Sequence, residues 1–161
     1  MSNNFSKERF KAIGSVYVLL VNQQGQILLL RRCNTGFCDG EYGLPSGHLE
    51  ARESVRQGMM REIQEEIGIE VDADELRFAH MRSRNAEDGH RIDYFFEAYA
   101  WEGEVKNCEP NKCDELIWAS PDDLPANTIA YIREVISFWQ EGVLYSEQGW
   151  SKKKINQARA A

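Results

Sequence analysis

The sequence has no apolar run that approaches the roughly 20 consecutive residues of a membrane-spanning helix. Its first residues, MSNNFSKERFK, also lack the apolar segment of a secretory signal peptide. Positive charge is scarce: 19 basic residues stand against 26 acidic ones, for a formal net charge of −7. These features predict a cytoplasmic protein that binds neither a membrane surface nor a nucleic-acid backbone, since both are anionic.

Cysteine is also sparse, with four residues arranged as Cys33/Cys38 and Cys108/Cys113. Structural zinc sites commonly use closer CxxC-type spacing than these two pairs. We therefore expect reduced, unpaired thiols, with a zinc site or disulfides as the alternative.

The 161 residues suffice for one domain with a substantial core, and no linker, repeat or low-complexity segment divides them. We predict a single domain over 1–161 with a mobile polar tail over 151–161.

Strand-like and helix-like stretches are mixed along the chain, which favours an α/β layered fold. The predicted strands are 12–21, 26–31, 75–82, 91–101 and 115–119, and the predicted helices are 55–67 and 126–140. The first two strands should form a hairpin, and 33–46 and 83–90 should be loops.

Three glutamates share one face of the first predicted helix, which Ser54 should cap at its start and Gly68 at its end. Glu62, Glu65 and Glu66 are spaced i, i+3 and i+4, so their side chains project together. Like charges at this spacing destabilise a helix by about 0.2–0.5 kcal/mol per pair unless a cation offsets them. An oxygen-only cluster favours Mg²⁺, which keeps ligand positions for water and substrate phosphates. The pattern predicts metal-dependent phosphate chemistry.

The segment GHLEARESVRQGMMREIQEEIGI (47–69) resembles the signature of the Nudix hydrolases, with every fixed position filled. One departure from many members is Ser46-Gly47 where they carry Gly-Gly. The resemblance implies an α/β/α sandwich with a mixed β-sheet and metal-dependent cleavage of nucleoside diphosphate linkages. It further implies a set of roles for the signature residues. Glu62, Glu65 and Glu66 would bind Mg²⁺, or Mn²⁺ as the alternative, with the Gly47 carbonyl as a fourth ligand, and Arg61 would pair with Glu53 to hold the loop against the helix.

The proton acceptor for the attacking water stays open between the signature and a later loop. Family members use either a signature glutamate, here Glu62, or a later acidic residue, here Asp114 or Glu115. We favour Glu62, because helical spacing alone places it on the metal-binding face. His48 and His80 are weaker candidates.

The segments GLPSGHLE and EPNKCDELIWASPDDLP (109–125) resemble the MutT-like branch, whose members hydrolyse nucleoside triphosphates to monophosphates and pyrophosphate. We therefore expect a small-molecule nucleotide substrate, modified or non-standard nucleotides included, and a homodimer is compatible with the family. Cleavage of ADP-ribose or another nucleoside diphosphate derivative is the alternative, and a nucleotide-sensing domain without catalysis is a third.

We expect Arg31, Tyr42 and Asp114 to contact the substrate. The other aromatic and arginine candidates are Phe37, Phe95, Trp118, Trp139, Arg32, Arg82 and Arg84.

Overall fold

The computed structural model describes residues 9–150, so the predicted mobile tail 151–161 lies outside the described residues. Eight strands and two helices are present in this part of the chain. They are β1 (Ile13–Leu20), β2 (Ile27–Arg32), β3 (Tyr42–Gly43), β4 (Ser46–His48), α1 (Val55–Ile67), β5 (Arg77–Ala86), β6 (Gly89–Ala98), β7 (Cys113–Ala119), α2 (Ala130–Gln140) and β8 (Tyr145–Gln148). No helix among them is long and apolar enough to cross a membrane.

Helix α1 begins and ends where the sequence predicts. The Ser54 side chain accepts from the Gln57 backbone N–H, and the Gln57 side chain accepts from the Ser54 N–H, which completes the capping box. At the other end Gly68 adopts the left-handed conformation, with φ of 69°. The caps satisfy backbone groups that a helix leaves unpaired at its ends. The two caps set the first and last residues of α1, and therefore also the turn of the helix that carries the signature glutamates.

The predicted hairpin of β1 and β2 is only partly present. Asn22 and Gln26 form the turn, and Val21 and Ile27 are joined by an isolated antiparallel bridge. Beyond that bridge the two strands separate into different sheets, ordered β4-β1-β6-β5-β8 and β3-β2-β7. The hairpin prediction is wrong in this respect, because both strands are apolar on both faces and each finds separate partners.

Strand β1 sits between two hydrophobic layers. Val16, Val18 and Leu20 belong to the cluster packed against α1. The alternating residues Tyr17 and Leu19 belong to the second cluster, which contains α2 residues. Since successive side chains of a strand point to opposite faces, one strand serves both layers. The predicted α/β/α sandwich with a mixed sheet is confirmed.

The predicted loop 83–90 is wrong, because most of it continues β5 and β6 as a long hairpin. Ala86 pairs with Gly89, so only Glu87 and Asp88 form the turn. The polarity of this stretch marks a hairpin that projects beyond the apolar core rather than a loop. Within the predicted irregular segment 33–46, two residues form β3, and β4 begins at Ser46.

The C-terminal elements differ from the prediction in two ways. Helix α2 begins at Ala130 rather than 126, because the Pro125 carbonyl accepts from both the backbone N–H and the hydroxyl of Thr128 in a preceding turn. The polar strand β8 was not predicted, and it pairs in parallel with β5. Buried His80 is bonded there to the Val143 carbonyl at 2.7 Å and to the Ser146 hydroxyl at 2.8 Å.

Candidate active site

One open cavity of about 900 Å³ extends from the signature helix to the β5–β6 hairpin. Its walls come from β1, β4, α1, the end of the β5–β6 hairpin and the loop before β7. Both acidic and basic side chains line these walls. The charged lining residues are Glu50, Glu62, Glu65, Glu66, Glu87, Asp88 and Glu109 together with Arg32, Arg61, Arg84, Arg91 and Lys112.

The acidic end of the cavity forms where β4 meets α1. A Cβ atom added at Gly47 would lie well inside 3.0 Å of all three carboxyl atoms of Glu62, so only glycine fits beside this side chain. The Glu66 carboxylate accepts a hydrogen bond from the Ser46 backbone N–H at 2.8 Å. Strand β4 therefore holds two of the three signature glutamates through its backbone.

Two acidic residues of this end, Glu62 and Glu66, have raised pKa values. Burial raises the pKa of Glu66 to about 8, and the neighbouring charges of Glu62 and Glu109 act in the same direction. Burial also raises the pKa of Glu62, although the Arg61 guanidinium opposes this. Glu65 is more than half exposed, at 54% of its side chain. Because these crowded carboxylates repel one another, a cation bound among them would stabilise their ionised forms.

Arg61 supplies positive charge in this conformation. Its guanidinium contacts Glu53 at 2.8 Å, Glu62 at 2.8 Å and Glu65 at 3.3 Å. It also donates to the His48 carbonyl at 3.0 Å, so it ties the segment before α1 to the helix. These contacts raise the pKa of Arg61 further above its usual range, with Glu53 as the largest cause. The pairing of Arg61 with Glu53 matches the positional role expected from the resemblance.

The three signature glutamates do not converge on a single point in this conformation. Within residues 9–150, no group of three His, Cys, Asp or Glu side chains is arranged to hold a metal ion. The reason is that Arg61 Nη1 bridges Glu62 and Glu65, while Glu66 is bonded to the backbone of β4. The donor chemistry still fits a divalent ion, because carboxylate oxygens with raised pKa values gather next to the Gly47 backbone.

Glu109 is a residue of this site that sequence reasoning missed. It lies in the loop before β7, lines the cavity and raises the pKa of both Glu62 and Glu66 through its charge. Lys112 Nζ contacts Glu109 at 2.9 Å, and the Glu109 carbonyl accepts from the backbone of Lys112 and Cys113. The only sequence signal was an acidic residue beside Pro110 in segment 109–125, which resembles the MutT-like branch.

The three predicted substrate contacts lie outside the cavity lining. Arg31 contacts Asp114 at 2.7 Å and Glu115 at 3.0 Å, and the Tyr42 hydroxyl donates to Glu115. These four residues sit together because Arg31 is opposite Tyr42 on β3 and Glu115 on β7 in the sheet register. The structure thus brings the predicted residues together, but with each other rather than with the glutamates of α1.

The remaining candidates divide into those that line the cavity and those that do not. Glu62 and His48 line it, whereas Asp114, Glu115 and buried His80 do not. Among the aromatic and arginine candidates, those in the lining are Phe37, Arg32 and Arg84, and those outside it are Phe95, Trp118, Trp139 and Arg82. Arg82 is 1% exposed and is bonded to Ser146 and Glu134, so it stabilises the packing of β5. The four cysteines are free thiols, as expected.

Comparison with known proteins places this geometry in a family. A model of the NUDIX domain matches residues 12–139. The NAD-capped RNA hydrolase NudC of Pseudomonas aeruginosa is 32% identical over 108 residues, which cover 67% of this chain and 36% of that protein. The 8-oxo-dGTP diphosphatase of Escherichia coli is 28% identical over 111 residues, covering 66% of this chain and 83% of that protein.

The solved structure of a MutT NUDIX hydrolase from Burkholderia pseudomallei superposes with a TM-score of 0.71 at 27% identity, covering 80% of this chain and 98% of that one. The chain spans well under half the length of the NudC proteins that it matches. The family match nevertheless covers most of the chain, and it contains both the signature helix and the strands that surround the acidic cavity. The chain belongs to the NUDIX family.

Proposed function

We propose that this protein hydrolyses nucleoside triphosphates to monophosphates and pyrophosphate with Mg²⁺, or alternatively Mn²⁺. The observation that carries the proposal is one cavity with crowded carboxylates at one end and arginine and lysine side chains along its walls. A polyphosphate needs both: cations bridge it to the carboxylates, and guanidinium groups bind its oxygens bidentately. The similarity to the 8-oxo-dGTP diphosphatase, which covers most of that protein, supports a triphosphate substrate.

The residues of the acidic end have separate roles in this proposal. Glu62, Glu65 and Glu66 hold the metal, with the Gly47 carbonyl beside them. When bound, the divalent ion neutralises charge on the phosphate oxygens and lowers the pKa of the attacking water. Arg61 releases Glu62 and Glu65 to the metal while its contacts with Glu53 and the His48 carbonyl keep the loop in place.

Glu62 is the proton acceptor in this proposal. Its side chain is 13% exposed and faces Gly47, so it lies within the acidic end rather than at the rim. Burial raises the pKa of Glu62 in this conformation and a bound divalent ion would lower it, so the assignment rests on the position of the carboxylate. Glu109 lies near enough to influence the same pKa, and it holds Lys112 toward this end of the cavity.

Product analysis tests the proposal directly. The purified protein is incubated with Mg²⁺ and a panel of nucleoside triphosphates, and the products are separated by anion exchange. We expect equimolar monophosphate and pyrophosphate; release of orthophosphate alone, or no release, would refute the triphosphate assignment. Glu109→Gln is a useful companion variant, because retention of full turnover would exclude Glu109 from the chemistry.

The second candidate function is cleavage of a nucleoside diphosphate derivative such as ADP-ribose. It is favoured by the ADP-ribose pyrophosphatase of Methanocaldococcus jannaschii, which is 31% identical over 87 residues. The same incubation with ADP-ribose separates the two functions, since this substrate yields AMP and ribose phosphate instead of pyrophosphate. Tight nucleotide binding without any turnover would instead support a sensing domain.

A further inference from the structure

Arg84 lines the cavity together with the other charged residues of the β5–β6 hairpin, Glu87, Asp88 and Arg91. It is carried by β5 directly opposite Arg91, and its ion-pair partner is Asp93 on β6, whose side chain is fully buried. Arg84 Nε donates to Asp93 Oδ2, and Nη2 donates to Asp93 Oδ1 at 3.3 Å. The guanidinium carbon lies 4.7 Å from the centre of the Tyr131 ring. Two bonds and an aromatic face therefore hold the guanidinium in one orientation.

The Nη1 group of the Arg84 guanidinium makes no hydrogen bond to the described residues. An arginine side chain has five N–H donors, and among the described residues Arg84 is bonded only to Asp93. No buried side-chain nitrogen or oxygen within residues 9–150 lacks a partner, so Arg84 Nη1 is accessible. Because Arg84 lines the cavity, the Nη1 and Nη2 protons that remain are available to a ligand there.

The position of this guanidinium indicates which part of a nucleotide it meets. In the sheet order β4-β1-β6-β5, Arg84 is three strands away from Gly47 and the acidic end. Three interstrand spacings amount to roughly 14 Å, and Arg84 lies three residues beyond Met81, the β5 residue in register with Gly47, which adds roughly 10 Å along the strand. If the phosphates bind at the glutamates, as the proposed function requires, the base is the part of the substrate that reaches Arg84.

Two parallel N–H donors select a base with two neighbouring acceptors. Guanine presents N7 and O6, the pair that arginine binds bidentately in nucleic acids. Adenine presents N7 beside an amino donor, which would face the N–H groups of Arg84. Oxidation of guanine at C8 places a proton on N7 and removes one acceptor. We propose that Arg84, held by Asp93 and Tyr131, reads the N7 and O6 edge of unoxidised guanine in the substrate, an assignment that rests on the proposed function.

The test compares kcat/KM of the wild-type protein for dGTP, 7-deaza-dGTP, 8-oxo-dGTP and dATP, measured as pyrophosphate release with Mg²⁺. 7-Deaza-dGTP is the decisive substrate, because it lacks only the N7 acceptor. We expect dGTP to be preferred over each of the other three by roughly 5- to 150-fold, the range for one bidentate base contact.

Two variants locate the preference at Arg84. Arg84→Lys keeps a positive charge beside Asp93 but loses the planar pair of donors, so its preference for dGTP over 7-deaza-dGTP should largely disappear. Arg77→Lys is the matched control, since Arg77 begins the same strand, is exposed and lies outside the cavity lining. Its preference should equal that of the wild type. Thermal unfolding of both variants verifies that they are folded.

The outcomes separate failure of this inference from failure of the proposed function. Cleavage of dGTP and 7-deaza-dGTP at equal kcat/KM, or a preference for 8-oxo-dGTP, would overturn the role of Arg84 while triphosphate hydrolysis stands. No cleavage of any triphosphate would overturn the proposed function and the inference with it. Where Arg84→Lys does not fold, equal wild-type kcat/KM for dGTP and 7-deaza-dGTP still overturns the inference.

Discussion

Gly47→Ala is the substitution for which the structure gives the clearest consequence. The added methyl group would lie well inside 3.0 Å of the whole Glu62 carboxyl group, whereas ordinary carbon contacts need about 3.5 Å or more. Either the carboxyl group or strand β4 must therefore move by at least about 1 Å. Moving Glu62 breaks its 2.8 Å ion pair with Arg61, and moving β4 disturbs its pairing with β1.

Overpacking of this kind costs about 1–3 kcal/mol of the free energy of unfolding. For a chain of 161 residues this corresponds to a fall in Tm of roughly 2–12 °C. Displacement of a catalytic carboxylate by about 1 Å should also lower turnover by roughly 100-fold. Circular dichroism melting without metal measures the first effect, and pyrophosphate release with Mg²⁺ measures the second.

Gly14→Ala is the matched control for Gly47→Ala. It adds the same methyl group to β1, the strand next to β4, but there the new atom meets the terminal Cδ1 of Leu49 at 2.7 Å. Both clashes involve the end of a flexible side chain, but moving Leu49 Cδ1 breaks no polar contact, whereas moving the Glu62 carboxyl breaks its ion pair with Arg61. Gly14→Ala should therefore lose less stability and keep more turnover. Wild-type melting and wild-type turnover in Gly47→Ala would refute the claim that β4 and Glu62 are packed together.

Three other predictions concern the same charged network and the buried histidine. Arg61→Ala should lower the free energy of unfolding by about 3 kcal/mol, because it leaves Glu53 and Glu62 without their shared partner. Urea denaturation measures this loss, and a change below about 0.5 kcal/mol would contradict the prediction. Glu65→Gln should melt like the wild type, since this side chain is 54% exposed, yet lose more than about tenfold in turnover; full activity would remove Glu65 from the site. Burial lowers the pKa of His80 below its ordinary 6.5, so the folded state binds fewer protons than the unfolded chain and stability falls as the pH drops below 6.5. His80→Gln, which does not titrate, should show a smaller acid loss of Tm, and an equal loss in both proteins would contradict this origin.

The parts of the fold predicted from sequence are those that local interactions decide. Helix α1 is fixed by Ser54, Gln57 and Gly68, all within or beside the helix itself. The shared face of Glu62 and Glu66 follows from helical geometry alone. These features need no knowledge of distant partners, so the sequence was sufficient for them.

The features that were missed depend on partners far along the chain. The separation of β1 from β2 requires β6 and β7, which come much later. Arg31 and Asp114 pair across 83 residues, and His80 meets Ser146 across 66. A charged or polar side chain gives no sequence signal for such partners, so these pairings of Arg31, Asp114 and His80 could not be predicted.

Strand β8 makes the last described part of the chain a structural requirement for β5. The Val143 carbonyl and the Ser146 hydroxyl are the hydrogen-bond partners of His80, and Ser146 also accepts from Arg82. Until residue 146 has left the ribosome, the buried imidazole of His80 and the Nε of Arg82 lack the Ser146 hydroxyl as a hydrogen-bond partner. We therefore expect the domain to complete its folding only after almost the whole described chain has emerged, and any earlier stop codon to yield a protein that cellular proteases remove.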